Sequence, residues 1–189
     1  MLCYNNKNDA SRENFVKIAG VLSKKEECMY IVSKRVGGAV DTLPIEGYNL
    51  DFLTGQMVMV TGEIRQKRIV GSDNVKHSRM YVYAQEVTDL RDKSCENHFR
   101  ISGEVCSTPK YRKTPKGTEI ADLLIVNKAA GRKTYFLNCI AWGVNARKAA
   151  ILHHNDKVVI TGRMQSRTYK VDRVAYELSV DKIEVQSNK

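Results

Sequence analysis

No apolar run in the 189-residue chain approaches the ~20 residues that a membrane-spanning helix needs. The opening residues, Met1 to Asp9, hold no apolar stretch of the kind a secretion signal requires, so a cytoplasmic protein is expected. Cysteine occurs without pattern: Cys3, Cys28, Cys95, Cys106 and Cys139 are odd in number, scattered, and form no C-x-x-C pair. That spacing argues against a disulfide framework and a zinc site, and it fits a reducing compartment. Among the four histidines, His153 and His154 are adjacent, so a regular element would turn them apart, and no H-E-x-x-H occurs. A P-loop, a nucleophile–base pair and a carboxylate cluster with metal spacing are all missing. Neither catalysis nor a bound metal or cofactor is expected. What remains is a globular composition, 42% hydrophobic and 28% charged.

One sign of charge is in excess. Lys and Arg number 31 against 21 Asp and Glu, a net of +10, which favours a polyanionic partner. Residues 1–93 carry 14 basic and 12 acidic side chains, a net of +2. Residues 94–189 carry 17 and 9, a net of +8. The second half is the electrostatic half.

The chain also repeats. Glu13–Gly20 aligns without a gap on Glu96–Gly103, each an alternating apolar strand that runs into a glycine. Val58–Ile64 aligns on Val158–Met164, with Thr61-Gly62 matching Thr161-Gly162, and Tyr81–Val87 aligns more weakly on Glu177–Ile183. A glycine in mid-strand marks a bulge or a sharp bend. The first copy predicts strands near 14–22, 28–36, 39–45, 56–68 and 80–89; the second, near 97–106, 118–128, 134–142, 157–169 and 174–185. Between the third and fourth strands of the second copy, residues 143–154 favour a short helix capped by Asn145. In the first copy, residues 47–53 leave room for only a turn. Five strands with bend glycines, and a helix after the third, describe a small closed Greek-key barrel, the OB-fold. The expectation is an all-β chain of two tandem OB-fold barrels, 12–90 and 96–186, joined by a short polar linker over 89–96.

Within the second copy, residues 134–142 read as a strand without Gly or Pro. On a period of two, Phe136, Asn138, Ile140 and Trp142 share one side, and Leu137, Cys139 and Ala141 the other. Two aromatics and an amide on one side, with Arg132 and Lys133 just upstream, suit stacking on unpaired bases. The same rings would equally serve as core filling. Lys110, Tyr111, Arg112, Lys113 and Lys116 crowd the loop before the second strand. Arg163, Arg167 and Tyr169 share one parity on the fourth strand. Cations on phosphates and rings on bases together follow a strand without reading its sequence.

With these pieces placed, the second copy resembles the bacterial single-stranded DNA-binding protein family. The matching motifs are Asn97-x-Phe-x-Ile-x-Gly103, Pro109-Lys-Tyr-Arg112-Lys-Thr-Pro-x-Gly117, Asn138-Cys-Ile-Ala-Trp142-Gly143 and Val158-x-Ile-x-Gly162-Arg-Met-x-x-Arg167-x-Tyr169. The run from Thr114 to Leu124, taken with Asn145-Ala-Arg147, is similar to the tandem-domain branch of Firmicutes and their mobile elements. Its first domain carries a segment like Asp41-Thr-Leu-Pro-Ile45. The resemblance implies stacking roles for Phe136, Trp142 and Tyr169 and backbone contacts for Arg112 and Arg167. It implies a single-stranded DNA partner in replication, recombination or repair, and a homodimer whose four barrels match family tetramers. Two departures stand out: the connection Lys128–Lys133 is short, and the chain ends Glu184–Lys189 without the acidic, Phe-terminated tip that recruits other proteins.

The first copy reads as the lesser partner. Lys67-Arg68 stand where Arg167-Thr168 do, but Asp41, Glu46, Asp51 and Glu63 offset its cations. Tyr81 and Tyr83 fit either stacking or cross-strand packing, and the segment Asp41–Ile45 lacks counterparts of both Phe136 and Trp142. Two rival readings stay open: a single-stranded RNA ligand, because stacking ignores the sugar, and an OB-fold assembly protein of a primosome or mobile element.

Overall fold

The computed structural model describes residues 14–47, 49–70, 74, 76–91, 95–128, 133–170 and 173–186. Eleven strands and one short helix make up nearly all of it. The first five strands are β1 (Asn14–Lys25), β2 (Cys28–Lys34), β3 (Val40–Glu46), β4 (Met57–Val70) and β5 (Lys76–Asp89). The next six are β6 (Asn97–Val105), β7 (Lys110–Lys113), β8 (Glu119–Lys128), β9 (Thr134–Trp142), β10 (Lys157–Lys170) and β11 (Arg173–Val185). The alternation that predicted them is also what buries them. In β10, Val158, Ile160 and Met164 face the core and are fully buried, as are Val58, Val60 and Ile64 of β4.

The strands close into two circuits of one topology. β1 pairs with β2 and β4, β2 with β3, β4 with β5, all antiparallel, and a parallel β3–β5 pairing completes the ring. β6, β8, β9, β11 and β10 repeat that circuit, with a parallel β9–β11 pairing, and β7 is added outside β8. These are the expected OB-fold barrels. Each has its own core: Ile18, Leu22, Ile31 and Ile64 in the first; Phe99, Ile101, Leu137 and Met164 in the second. Fully burying one such side chain is worth about 1.5–3 kcal/mol.

The bend glycines stand where the repeat places them. The β4–β5 register shifts between Thr61 and Gly62, and the β10–β11 register shifts between Thr161 and Gly162. A Cβ on Gly162 would sit 2.0 Å from the Ser179 carbonyl oxygen, and one on Gly62 would sit 2.0 Å from that of Tyr83. Only glycine permits this approach.

Helix α1 (Val144–Ala150) falls in the expected place, and a single 3-10 turn, Leu50–Leu53, occupies the equivalent position in the first barrel. The expected cap does not form. Gly143 is the N-cap, with no side-chain capping bond, and Asn145 Nδ2 instead donates to the Asp181 carbonyl oxygen at 2.8 Å. Gly143 has φ 52, a left-handed conformation that sets the N-cap two residues before Asn145.

The barrels are not beads on a linker. β1 and β6 pair antiparallel, which fuses both circuits into one eleven-stranded sheet. The register pairs Asn14 with Ile101, Val16 with Phe99, and Ile18 with Asn97. In the gapless repeat Asn14 matches Asn97 and Ile18 matches Ile101, so the junction is a pseudo-two-fold centred on Val16 and Phe99. Asn14 receives the Ile64 N–H at 2.9 Å and donates to the Ile64 carbonyl at 2.8 Å. Asn97 does the same to Met164, at 3.0 and 2.8 Å. Asn14 also donates to Asn127 Oδ1 of the other barrel at 3.2 Å.

Asn14→Ala leaves the buried Ile64 amide and carbonyl without those partners, at a cost of roughly 1–3 kcal/mol. Urea unfolding should show a lower midpoint with an unchanged slope; an unchanged midpoint would show that the clamp contributes nothing.

Candidate nucleic-acid interface

β9 sorts its side chains by parity with one exception. Leu137, Cys139 and Ala141 are buried in the core, and burial pushes the Cys139 thiol far up, leaving it an inert packing group. On the other side Phe136 is 42% exposed and Trp142 is 38% exposed, far more than core rings show. Ile140 is the exception, buried between its ladder partners Asp122 and Ser179. Gln66 of the first barrel fixes the Phe136 backbone: its Nε2 donates to the Phe136 carbonyl at 2.7 Å, and its Oε1 accepts from the Phe136 N–H at 3.2 Å. Nothing in the sequence marked Gln66, because the contact spans 70 residues and exists only once the barrels dock.

Lys110–Lys113, expected in a loop, form the edge strand β7. Four residues are too few to show a period, and their strand character comes from β8 offering an open edge. Ladder registers then arrange the predicted cations. Lys110 pairs with Asp122, Asp122 with Ile140, Ile140 with Ser179, and Ser179 with Arg163, one row across five strands. The neighbouring row runs Arg112, Ile120, Trp142. Lys110, Arg112, Phe136, Trp142, Arg163 and Arg167 therefore share one side of the ladder, with Tyr169 two residues beyond Arg167 on β10 and 49% exposed. Tyr111 and Lys113 point to the opposite side by parity. There the Tyr111 hydroxyl donates to Glu119 Oε1 at 2.6 Å, and Arg147 of α1 pairs with the same carboxylate. Those contacts separate Tyr111 from the stacking rings.

The arginines on the shared side carry carboxylates. Arg112 lies 3.1 Å from Asp122, Arg163 3.4 Å from Asp181, and Arg167 3.3 Å from Glu177. The first two pairs are partly exposed on both sides; such pairs are worth about 0–1 kcal/mol and weaken with salt. A phosphate can displace those carboxylates at little cost. Lys133 is exposed beside β9, while Arg132, in the short connection before it, lies outside the described residues, as do the last residues 187–189.

The first barrel differs. Lys67 pairs with Glu46 and lies 5.4 Å from the Tyr81 ring centre; Arg65 lies 3.6 Å over Tyr83 and pairs with Glu63. Burial, and next the Glu46 charge, push the Tyr81 hydroxyl up. These rings are cross-strand packing under their own cations, which decides between the two roles open to them in the sequence. Arg68 is exposed, but among the described residues of this hairpin no exposed ring stands beside it. The parallel registers Ile45–Val82 and Cys139–Leu178 make Thr42 the counterpart of Phe136. The counterpart of Trp142 falls on residue 48, a tyrosine outside the described residues and beyond the end of the segment Asp41–Ile45.

Among the described residues no group of three or more His, Cys, Asp or Glu side chains is placed to hold a metal, and no helix is long and apolar enough to cross a membrane.

Comparison with known proteins follows the same division. Residues 96–186 match the model of the single-strand binding protein family. A curated single-stranded DNA-binding protein of Paenarthrobacter aurescens is 29% identical over 47% of this chain, and the match spans 60% of that relative's length. The wild-type single-stranded DNA binding protein from Thermus aquaticus superposes with a TM-score of 0.72 at 18% identity, covering 93% of this chain and 94% of that one. A deletion mutant of it gives 0.69 at 19% identity, covering 93% and 95%. At such identity these two structures carry the fold alone, and they carry it over both barrels.

Tyr111 holds the Glu119 carboxyl below the usual carboxylate range, with Arg147 and Lys113 adding to the effect. That stabilisation is present above the ordinary carboxylate pKa and is lost as pH falls through the lowered one. In Tyr111→Phe the Glu119 titration followed by NMR should move up; no movement would mean that the phenol does not donate to it.

Proposed function

We propose that this chain, whose second barrel matches the model of the single-strand binding protein family, is a member of that family and binds single-stranded DNA without sequence preference. The binding shelters exposed strands during replication, recombination or repair, and it needs no catalysis. The observation that carries this reading is the pair of half-exposed rings, Phe136 and Trp142, on the side of the sheet that also presents Lys110, Arg112, Arg163 and Arg167. Bases stack on the rings while phosphates meet the cations. Hydrogen bonding to base edges, which would read sequence, is not required. Lys133 and Tyr169 extend the same surface along the strand, and Arg132, next to Lys133 in the sequence, is assigned to phosphate contact with them on its charge alone. Tyr111 and Lys113 contribute from the rim, the former mainly by holding β7 against α1.

We assign this role to residues 96–186. Residues 12–90 form a weakly basic barrel that supports it, with Lys67 and Arg68 as auxiliary phosphate contacts. The support for that division is chemical: the first barrel's hairpin tyrosines lie beneath their own cations, so they offer bases no free face. We further propose a homodimer, in which two chains supply four barrels. The pseudo-two-fold β1–β6 junction already supplies half of such an assembly within one chain. Light scattering at micromolar concentration should give twice the 21.4 kDa chain mass; a monomer would end this idea.

Trp142 is the only tryptophan, so its fluorescence reports the site directly. Added oligo-dT should quench it, and Trp142→Ala should weaken binding by about 1–3 kcal/mol. Affinity should also fall steeply from ~50 to ~200 mM salt. Saturable binding without quenching would remove the ring from the site.

A further inference from the structure

Between the barrels, β2, β3 and β5 of the first face β10 and β11 of the second across a groove of ≈ 1060 Å³. Among the described residues its lining contains no Asp or Glu. Its cations are Lys25, Arg79 and Arg167, and its rings are Tyr30, Tyr169 and Tyr176. Arg79 differs from Arg35, Arg65, Arg112, Arg147, Arg163 and Arg167, each of which lies against a carboxylate. It stands between two phenols instead, 5.5 Å from the Tyr30 ring centre and 5.4 Å from that of Tyr176, and its Nη2 donates to the Tyr30 hydroxyl at 2.9 Å. Its Nε is buried without a hydrogen-bond partner. Burial pushes the Tyr176 hydroxyl up, so that phenol stays neutral and leaves the guanidinium charge uncancelled.

The groove is continuous with the platform of the second barrel. Asn138, two residues from Phe136 on the exposed side of β9, lines it, and so do Arg167 and Tyr169. A channel lined by cations and rings, opening onto a stacking surface, has the chemistry of a path for a polyanion that carries flat bases. A second copy of this chain fits it poorly, since a symmetric contact would set these cations against one another.

We propose that this groove is a second binding segment for the same single strand, in which Arg79, Lys25 and the Tyr30–Tyr176 pair hold the nucleotides that leave Tyr169. The proposal rests on the single-strand reading above. It makes the first barrel a contributor through its β1–β2 and β5 residues, in addition to Lys67 and Arg68 of its β4–β5 hairpin.

The test compares dT oligomers of about 8 nucleotides, within the footprint of one barrel, with oligomers of ~30. Arg79→Gln removes the guanidinium but also its bond to Tyr30. Lys25→Glu, at an exposed strand end, reverses a groove charge without disturbing packing. Both variants should bind the short oligomer as the parent does. For the long oligomer affinity should drop by about tenfold at ~50 mM salt, and the log–log salt slope should shrink by about 0.7 for each phosphate that is no longer neutralised. Equal falls in affinity at both lengths, or none at either, would overturn the proposal. So would a change of mass in light scattering with long-oligomer affinity unchanged, which would make the groove a contact between copies of the chain. If the parent binds neither oligomer, the single-strand reading itself has failed, a result distinct from these.

Discussion

The β1–β6 ladder is the contact on which the rest of the molecule depends. Each barrel closes around apolar residues of its own strands, and these merge at the joint, where Val16 meets Phe99, into one buried cluster. The ladder joins equivalent strands of the two copies, so the joint is self-complementary: Asn14 meets Ile101 while Asn97 meets Ile18. Each asparagine then reaches past the joint to clamp the long strand of its own barrel, Ile64 in one case and Met164 in the other. The joint and the two long hairpins are thereby one rigid arrangement. The hairpins in turn lie over the opposite barrel, where Gln66 holds Phe136 and Ser166 donates from its backbone N–H to Asp41.

That arrangement gives the two copies different surfaces from the same fold. At equivalent places the second barrel exposes a phenylalanine and the first exposes a threonine. Cations follow the same divergence. In the first barrel Arg65 lies over Tyr83 and Lys67 beside Tyr81, so these cations pack on the rings next to them. In the second, Arg112, Arg163 and Arg167 pair with carboxylates and leave Phe136 and Trp142 uncovered. Arg79 belongs to neither group, because its phenol partners come from both barrels.

Much of this was legible in the sequence, and the reasons are physical. Alternation of apolar residues places strands because side chains on a pleated backbone change sides at every residue. The ten principal strands and the short helix fall where that rule puts them, and Gly62 and Gly162 stand at bulges because no Cβ fits there. The charge split and the motifs from Asn97 to Tyr169 singled out the second barrel, the part that the family model matches. Parity along β9 correctly separated Leu137, Cys139 and Ala141 from Phe136 and Trp142.

Which of the two sides met water was a different matter, because a two-residue period is silent on it and only the closed barrel decides. The same holds wherever an answer depends on residues distant in the chain. Lys110–Lys113 became a strand only because β8 had a free edge, and that strand's parity turned Tyr111 away from Phe136 and Trp142, towards Glu119, which Arg147 also pairs with. Asn145 lost its capping role to Gly143 and the Asp181 carbonyl. Phe136 and Trp142, which by sequence suit core and surface equally, are exposed because the interior of the second barrel is already filled by Phe99, Ile125 and Leu137. Local pattern along the chain was enough to place the strands, the two copies and the half that carries the charge. Which rings stay free was settled only on closure of the barrels, since that depends on the strands that come to lie beside them.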